Sequence, residues 1–197
     1  MCWSNGPPCS LADASVVLVR RVAFVGCSGA GKTTLAREVA RRLGVEHIEL
    51  DAIFHQPGWT ELPQGEFARR VAQRLADAPN GWTSDGNYNS HGGRQVREAA
   101  DTIVWVDTSK PRVMARVVRR TLRRVITREE LWNGNREPWT NLYSLDPQRN
   151  IIVWSWTRFD EYRSQYQQML DEGQWAHAQV VRLRTPAQAR RWLSDVG

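Results

Sequence analysis

Lysine is nearly absent from this chain: of its 27 basic residues only Lys32 and Lys110 are lysines, and the rest are arginines. Long apolar runs are missing too. None approaches the ~20 residues that a membrane-spanning helix needs, and residues 1–15 lack a basic segment followed by an apolar one, so neither a membrane span nor a secretory signal is expected and the protein reads as cytoplasmic. Cysteine is scarce. Cys2, Cys9 and Cys27 form no metal-binding spacing and no disulfide framework, and His47, His55, His91 and His177 show no zinc-ligand spacing.

What remains is an ordinary globular composition, 41% hydrophobic and 24% charged over 197 residues, enough for one domain with a sizeable core. Residues 1–19 are rich in Pro, Gly and Ser and read as a disordered leader, which leaves 20–197 as the folded domain.

The strongest signal is Gly26-Cys27-Ser28-Gly29-Ala30-Gly31-Lys32-Thr33, which fits G-x-x-x-x-G-K-[ST] at every fixed position. The apolar run Val22–Val25 precedes it, and Leu35, Val39 and Leu43 follow at helical spacing up to Gly44. A strand, a phosphate loop and a helix N-terminus therefore follow in the required order. Such a loop predicts a nucleoside triphosphate held by the backbone N–H groups of Gly26, Ser28, Gly29, Ala30, Gly31, Lys32, Thr33 and Thr34, by the Lys32 ammonium, and by Mg²⁺ on the Thr33 hydroxyl. Cys27 is a small residue at a variable loop position; a helix N-terminus can also lower a thiol pKa and make it oxidisable.

Strand patterns at Val45–Leu50, Trp82–Ser84, Thr102–Val106 and Val180–Leu183 alternate with helical spacings. That order predicts a three-layer α/β fold with a parallel five-stranded sheet and helices on both faces. Ligands of such sheets gather at the strands' carboxyl ends, which is where Asp51, Asp85 and Asp107 fall. A helix from Pro111 to about Ile126 is predicted to bury Met114, Val118, Leu122 and Val125, which puts Arg112, Arg116, Arg119 and Arg123 on the opposite face. Seven arginines lie within residues 112–128, which contain no acid. An irregular insert at about 127–150 and a second long helix follow.

This order of parts resembles the adenylate kinase branch of P-loop kinases. Leu50-Asp51-Ala52-Ile53-Phe54, Asp85-Gly86-Asn87-Tyr88 and Arg128-Glu129-Glu130-Leu131-Trp132-Asn133-Gly134-Asn135-Arg136-Glu137 resemble, more narrowly, the topology modulation proteins related to it. The resemblance covers 20–197. It implies a phosphotransferase whose Arg119 and Arg123 sit at the base of a lid and close on the transferring phosphoryl group, with Arg136 and Arg158 joining from the insert and the next helix. It implies ATP as the nucleotide, with Mg²⁺ beside Asp85, Asp107 as the weaker candidate for the metal, and adenine near Arg184-Thr185-Pro186. One departure stands out: no arginine follows Asp85-Gly86 to grip an acceptor phosphate. Asp51 then suggests a hydroxyl-bearing acceptor that needs a base, although a helix cap or an outer-shell metal ligand would also account for it. If the acceptor is a nucleotide, Arg69, Arg70 or Arg94 must supply the clamp. Trp59 is placed beside the acceptor. The alternative to a kinase is an ATP-binding regulator that contacts DNA or RNA through its arginine-rich face.

Overall fold

In a computed structural model, residues 19–89 and 91–196 are described, so the expected leader lies outside them apart from Val19. The chain runs β1 (Arg21–Val25), α1 (Lys32–Leu43), β2 (Glu46–Glu49), α2 (Leu50–Phe54), β3 (His55–Gln56), β4 (Thr60–Glu61), α3 (Gln64–Ala76) and β5 (Trp82–Asp85). It continues with α4 (His91–Ala99), β6 (Thr102–Val106), α5 (Lys110–Thr127), α6 (Thr140–Tyr143), α7 (Ile151–Asp171), β7 (Gln179–Leu183) and α8 (Pro186–Asp195). Five strands form one sheet in the order β2-β5-β1-β6-β7, every pair parallel, while β3 and β4 make a separate antiparallel hairpin.

Successive strand residues point to opposite faces, and both faces are covered. Ala23 and Val25 of β1, with Ile103 and Trp105 of β6, pack with Phe67 and Val71 of α3, Val96 of α4 and Tyr166 of α7. Val22 and Phe24, with Val104 and Val106, pack with Ala36 and Val39 of α1, Val113 and Val117 of α5, and Trp192 and Leu193 of α8. The three-layer parallel fold expected from the strand–helix alternation is therefore the fold observed. It positions the site by bringing the carboxyl ends of β1, β5 and β6 side by side.

The expected phase of α5 needs correction. The helix buries Val113, Val117, Thr121 and Val125, whereas Leu122 is 41% exposed. Both stripes recur at i, i+4, but hydrophobicity favours the one with leucine and methionine, and packing against the phosphate loop admits the one with valine and threonine. One residue of shift turns the helix by about 100°, and with it the arginines.

Candidate active site

The phosphate loop is pressed from two sides, which explains its glycines. A Cβ on Gly26 (φ 140°) would stand 2.5 Å from the Val106 carbonyl oxygen, and one on Gly29 (φ 81°) would stand 2.4 Å from Val117 Cγ2. Only glycine fits where β6 and α5 crowd a backbone in these conformations. Gly31 then begins α1 with no side-chain cap, so the first-turn N–H groups remain available to an anion. Lys32 is only 8% exposed, and its ammonium donates to the carbonyls of Gly26 (2.7 Å) and Cys27 (3.0 Å). Burial lowers its pKa against the opposing pull of Asp85 and Asp51. Of the other loop residues expected to bind phosphate, Ser28 and Ala30 face arginines described below, while Thr34 is exposed on the first turn of α1. Cys27 is not the oxidisable thiol its position allowed: burial pushes it up to about 11 despite Lys32, and its Sγ donates to the Phe159 carbonyl at 3.5 Å.

Asp85 ends β5 in a buried position, and its Oδ2 accepts from Thr33 Oγ1 at 2.5 Å. Burial raises its pKa, but His47, Thr33 and Lys32 outweigh burial and hold the carboxylate below its ordinary range. A carboxylate beside a hydroxyl, both hard oxygen donors, at the mouth of a phosphate loop suits Mg²⁺. Asp107 does not suit it. Its oxygens are taken by Arg163 (2.9 Å) and Arg182 (2.8 Å), with Arg184 at 3.6 Å, so it ties α7 and β7 to the end of β6.

With α5 in its observed phase, the arginines that reach the loop are Arg116 and Arg120. Arg116 donates to the Ala30 carbonyl at 2.7 Å, and Arg120 donates to Ser28 Oγ at 3.3 Å. Burial, and then repulsion from Arg124, lower the Arg120 pKa, while Glu137 and Asp51 oppose them. Arg119 and Arg123 lie on the solvent side, Arg123 being 63% exposed and paired with Glu129 at 2.7 Å. Arg136 is similarly exposed near Glu130 (3.9 Å), and Arg158 pairs with Glu161 at 2.5 Å. Arg184 and Pro186 lie at the start of α8: the Arg184 N–H donates to Gln188 Oε1 (2.8 Å), and Thr185 caps the helix with Pro186 in its first turn.

The region around Asp51 is built from α2, the β3–β4 hairpin and the insert. Tyr88 Oη donates to Asp51 Oδ1 at 2.7 Å. Burial raises the Asp51 pKa, the Tyr88 hydrogen bond opposes this, and the Asp85 charge adds to it. Burial also lowers the pKa of neighbouring His55. The His55 ring stacks on Trp132 (5.9 Å) and meets Trp59 edge-on (5.2 Å), so Trp59 lies beside the residue that follows α2. The insert is docked here rather than over the phosphate loop. Asn133 Nδ2 donates to the carbonyls of Ala52 (3.0 Å) and His55 (2.5 Å), Asn135 Nδ2 donates to that of Gln56 (2.9 Å), and Asn135 Oδ1 accepts from the Trp59 N–H (2.9 Å). The possible phosphate clamps are engaged elsewhere: Arg69 and Arg70 pair with Glu66, and Arg94 with Glu98, all at the surface.

Sequence reasoning named Lys32, Thr33, Asp85 and Asp51, and the structure brings these four together. It missed Arg120 and His47. Arg120 was masked by the phase of α5, and a lone histidine inside a short strand carries no signal at all.

Fold and loop together define the class, a parallel α/β P-loop domain. A family model described as an AAA domain matches residues 22–85. The chain is 31% identical to the shikimate kinase of Paramagnetospirillum magneticum across 51% of this chain and 58% of that one. It is 30% identical to the shikimate kinase of Corynebacterium efficiens across 51% and 63%. The chain thus spans about three-fifths of the length of these curated relatives. Among solved structures, a shikimate kinase from Acinetobacter baumannii in complex with shikimate superposes with a TM-score of 0.54 over 91% of each chain at 15% identity, a likeness of fold. Among the described residues, no helix is long and apolar enough to cross a membrane.

Proposed function

We propose that this protein is a P-loop kinase that moves the γ-phosphoryl group of ATP, with Mg²⁺, to a hydroxyl of a small molecule. The observation that carries this reading is Asp51: a carboxylate beside Lys32, Asp85 and Arg120 whose pKa burial raises, making it a better proton acceptor than an ordinary aspartate. A phosphate acceptor is already anionic and needs a cation. A hydroxyl needs a base, and the base is what stands here.

Bound ATP and Mg²⁺ supply the phosphoryl group and neutralise its charge. The chain's own residues do the rest. The loop N–H groups and Lys32 hold the phosphates, Thr33 and Asp85 offer oxygens to the metal, and Arg116 braces the loop through Ala30. Arg120 presents a fixed positive charge where negative charge develops on the transferred group. Asp51 takes the hydroxyl proton, with Tyr88 orienting its other oxygen; burial and the Asp51 charge keep that phenol protonated. The insert, held by Asn133 and Asn135, covers the acceptor segment and excludes water that would otherwise compete as acceptor. Shikimate-type acceptors, ring compounds with hydroxyls, are the class suggested by the relatives. The narrower likeness to topology modulation proteins fits the same site without naming an acceptor.

The test is ADP release from ATP over a panel of shikimate, other cyclic polyols, nucleosides and AMP, with wild type and Asp51→Asn. A hydroxyl acceptor should be turned over, and Asp51→Asn should lower kcat by roughly 10²–10⁴. Brisk AMP phosphorylation by both forms would refute the proposal and restore a nucleotide acceptor.

A further inference from the structure

Asp85 has a polar neighbour at each oxygen, and the second comes from a strand residue outside every motif. His47 of β2 lies directly across from Thr83 of β5 in the parallel register. Thr83 Oγ1 donates to the Ala36 carbonyl of α1 at 3.0 Å. His47 Nδ1 lies 3.0 Å from the same hydroxyl oxygen. The ring is turned so that Nε2 stands 3.3 Å from Asp85 Oδ1. Both atoms are buried and, among the described residues, neither makes a hydrogen bond elsewhere, so they face each other. Oδ2 meanwhile accepts from Thr33.

We propose that His47 is the positioning residue of the metal side. Through Thr83 it ties the Asp85 carboxylate to the backbone of α1, the helix that also carries Thr33, so that the two metal-side oxygens are referred to one rigid element. A carboxylate rotates in a broad torsional well; a contact on each oxygen removes that freedom. Groups that orient a metal-binding carboxylate typically change metal affinity by 10–100-fold when removed. The inference rests on reading Asp85 and Thr33 as the metal side.

The experiment is Mn²⁺ binding to the full chain saturated with the non-hydrolysable analogue AMPPNP, followed by the paramagnetic resonance of free Mn²⁺, beside AMPPNP binding in EDTA. His47→Ala should weaken Mn²⁺ about 10–100-fold and leave metal-free AMPPNP binding within about twofold. His47→Gln, whose amide can donate to Oδ1, should recover most of the loss. Should His47→Ala fail to fold, Thr83→Val, equal in shape but without the hydroxyl, should weaken Mn²⁺ in the same direction. Unchanged Mn²⁺ affinity in folded His47→Ala or in Thr83→Val, with metal-dependent binding intact in wild type, overturns this role alone. A parallel loss of AMPPNP binding in EDTA would overturn it as well, since His47 would then support the whole loop. If wild type binds AMPPNP but gains nothing from Mn²⁺, the metal assignment falls together with it.

Discussion

Arg120→Ala set against Arg123→Ala is the most discriminating perturbation of the phosphoryl-transfer machinery. The two side chains leave the same helix three residues apart, yet one meets the phosphate loop and the other meets water. A unit positive charge about 4 Å from developing negative charge, at an effective dielectric of about 20, contributes about 4 kcal/mol. That corresponds to roughly a thousandfold in kcat, near the upper end of what single donors to developing oxyanions supply. Arg123 is paired with Glu129 in solvent, so its removal should change kcat less than about fivefold. Stability should move differently. Among the described residues Arg120 Nε is buried without a partner, and Arg124 repels the guanidinium, so Arg120→Ala should melt no lower than wild type. The assay is kcat and KM for ATP and for the acceptor, with thermal melting alongside and Arg120→Lys as a charge-retaining control. Equal losses in the two alanine variants, or near-normal kcat in Arg120→Ala, would refute the assignment of Arg120. Salt-sensitive DNA binding that disappears in Arg119→Ala and Arg123→Ala would instead assign the exposed strip to a polyanion.

Lys32→Ala should abolish transfer while the protein still folds, because its ammonium bonds only loop carbonyls; turnover and a melting curve check both. Tyr88→Phe removes the hydrogen bond that holds the Asp51 pKa down. Since the base must be ionised, the acid limb of kcat/KM against pH should move to higher pH, and a limb that stays or moves down would contradict the role of Asp51. Folding raises the Asp51 pKa, so its contribution to stability is present at low pH and is lost as pH rises through the folded value. Asp51→Asn should therefore melt higher than wild type at neutral pH even as it loses activity. Asn135→Ala leaves the Trp59 N–H and the Gln56 carbonyl without partners, at about 1–3 kcal/mol each if they stay buried. It should raise KM for the acceptor more than KM for ATP and make residues 127–150 easier to proteolyse.

Much of the fold was legible because its signals are local. The phosphate loop has fixed spacing, Thr102–Val106 is strand-like at every residue, and the N-terminal half of α7 announces itself by the recurrence of Ser155 and Phe159 on its buried stripe. The β3–β4 hairpin and α2 were not legible, since two-residue strands and a five-residue helix carry no periodicity. The docking of the insert onto them was hidden for a further reason: it is made by asparagine side chains on backbone carbonyls, bonds that any neighbouring sequence can accept.

The phase of α5 separates what hydrophobicity encodes from what fit encodes. Thr121 is fully buried, while Leu122 and Ile126 face solvent, so a reading that ranks residues by apolarity selects the wrong stripe. The information that decides the phase lies elsewhere in the chain, in Gly29. A Cβ there would collide with Val117 and crowd the Val113 carbonyl, which means that α5 approaches the loop backbone directly and does so along the valines. Once that contact is granted, Arg116 and Arg120, each adjacent on the helix surface to the Val113–Val117–Thr121 line, are the arginines that reach Ala30 and Ser28. A glycine required by close approach thus identifies the helix that approaches, and the helix phase then identifies the cations. Reading the site from sequence would have needed that pairing between residues 29 and 117, a long-range contact that no single segment displays.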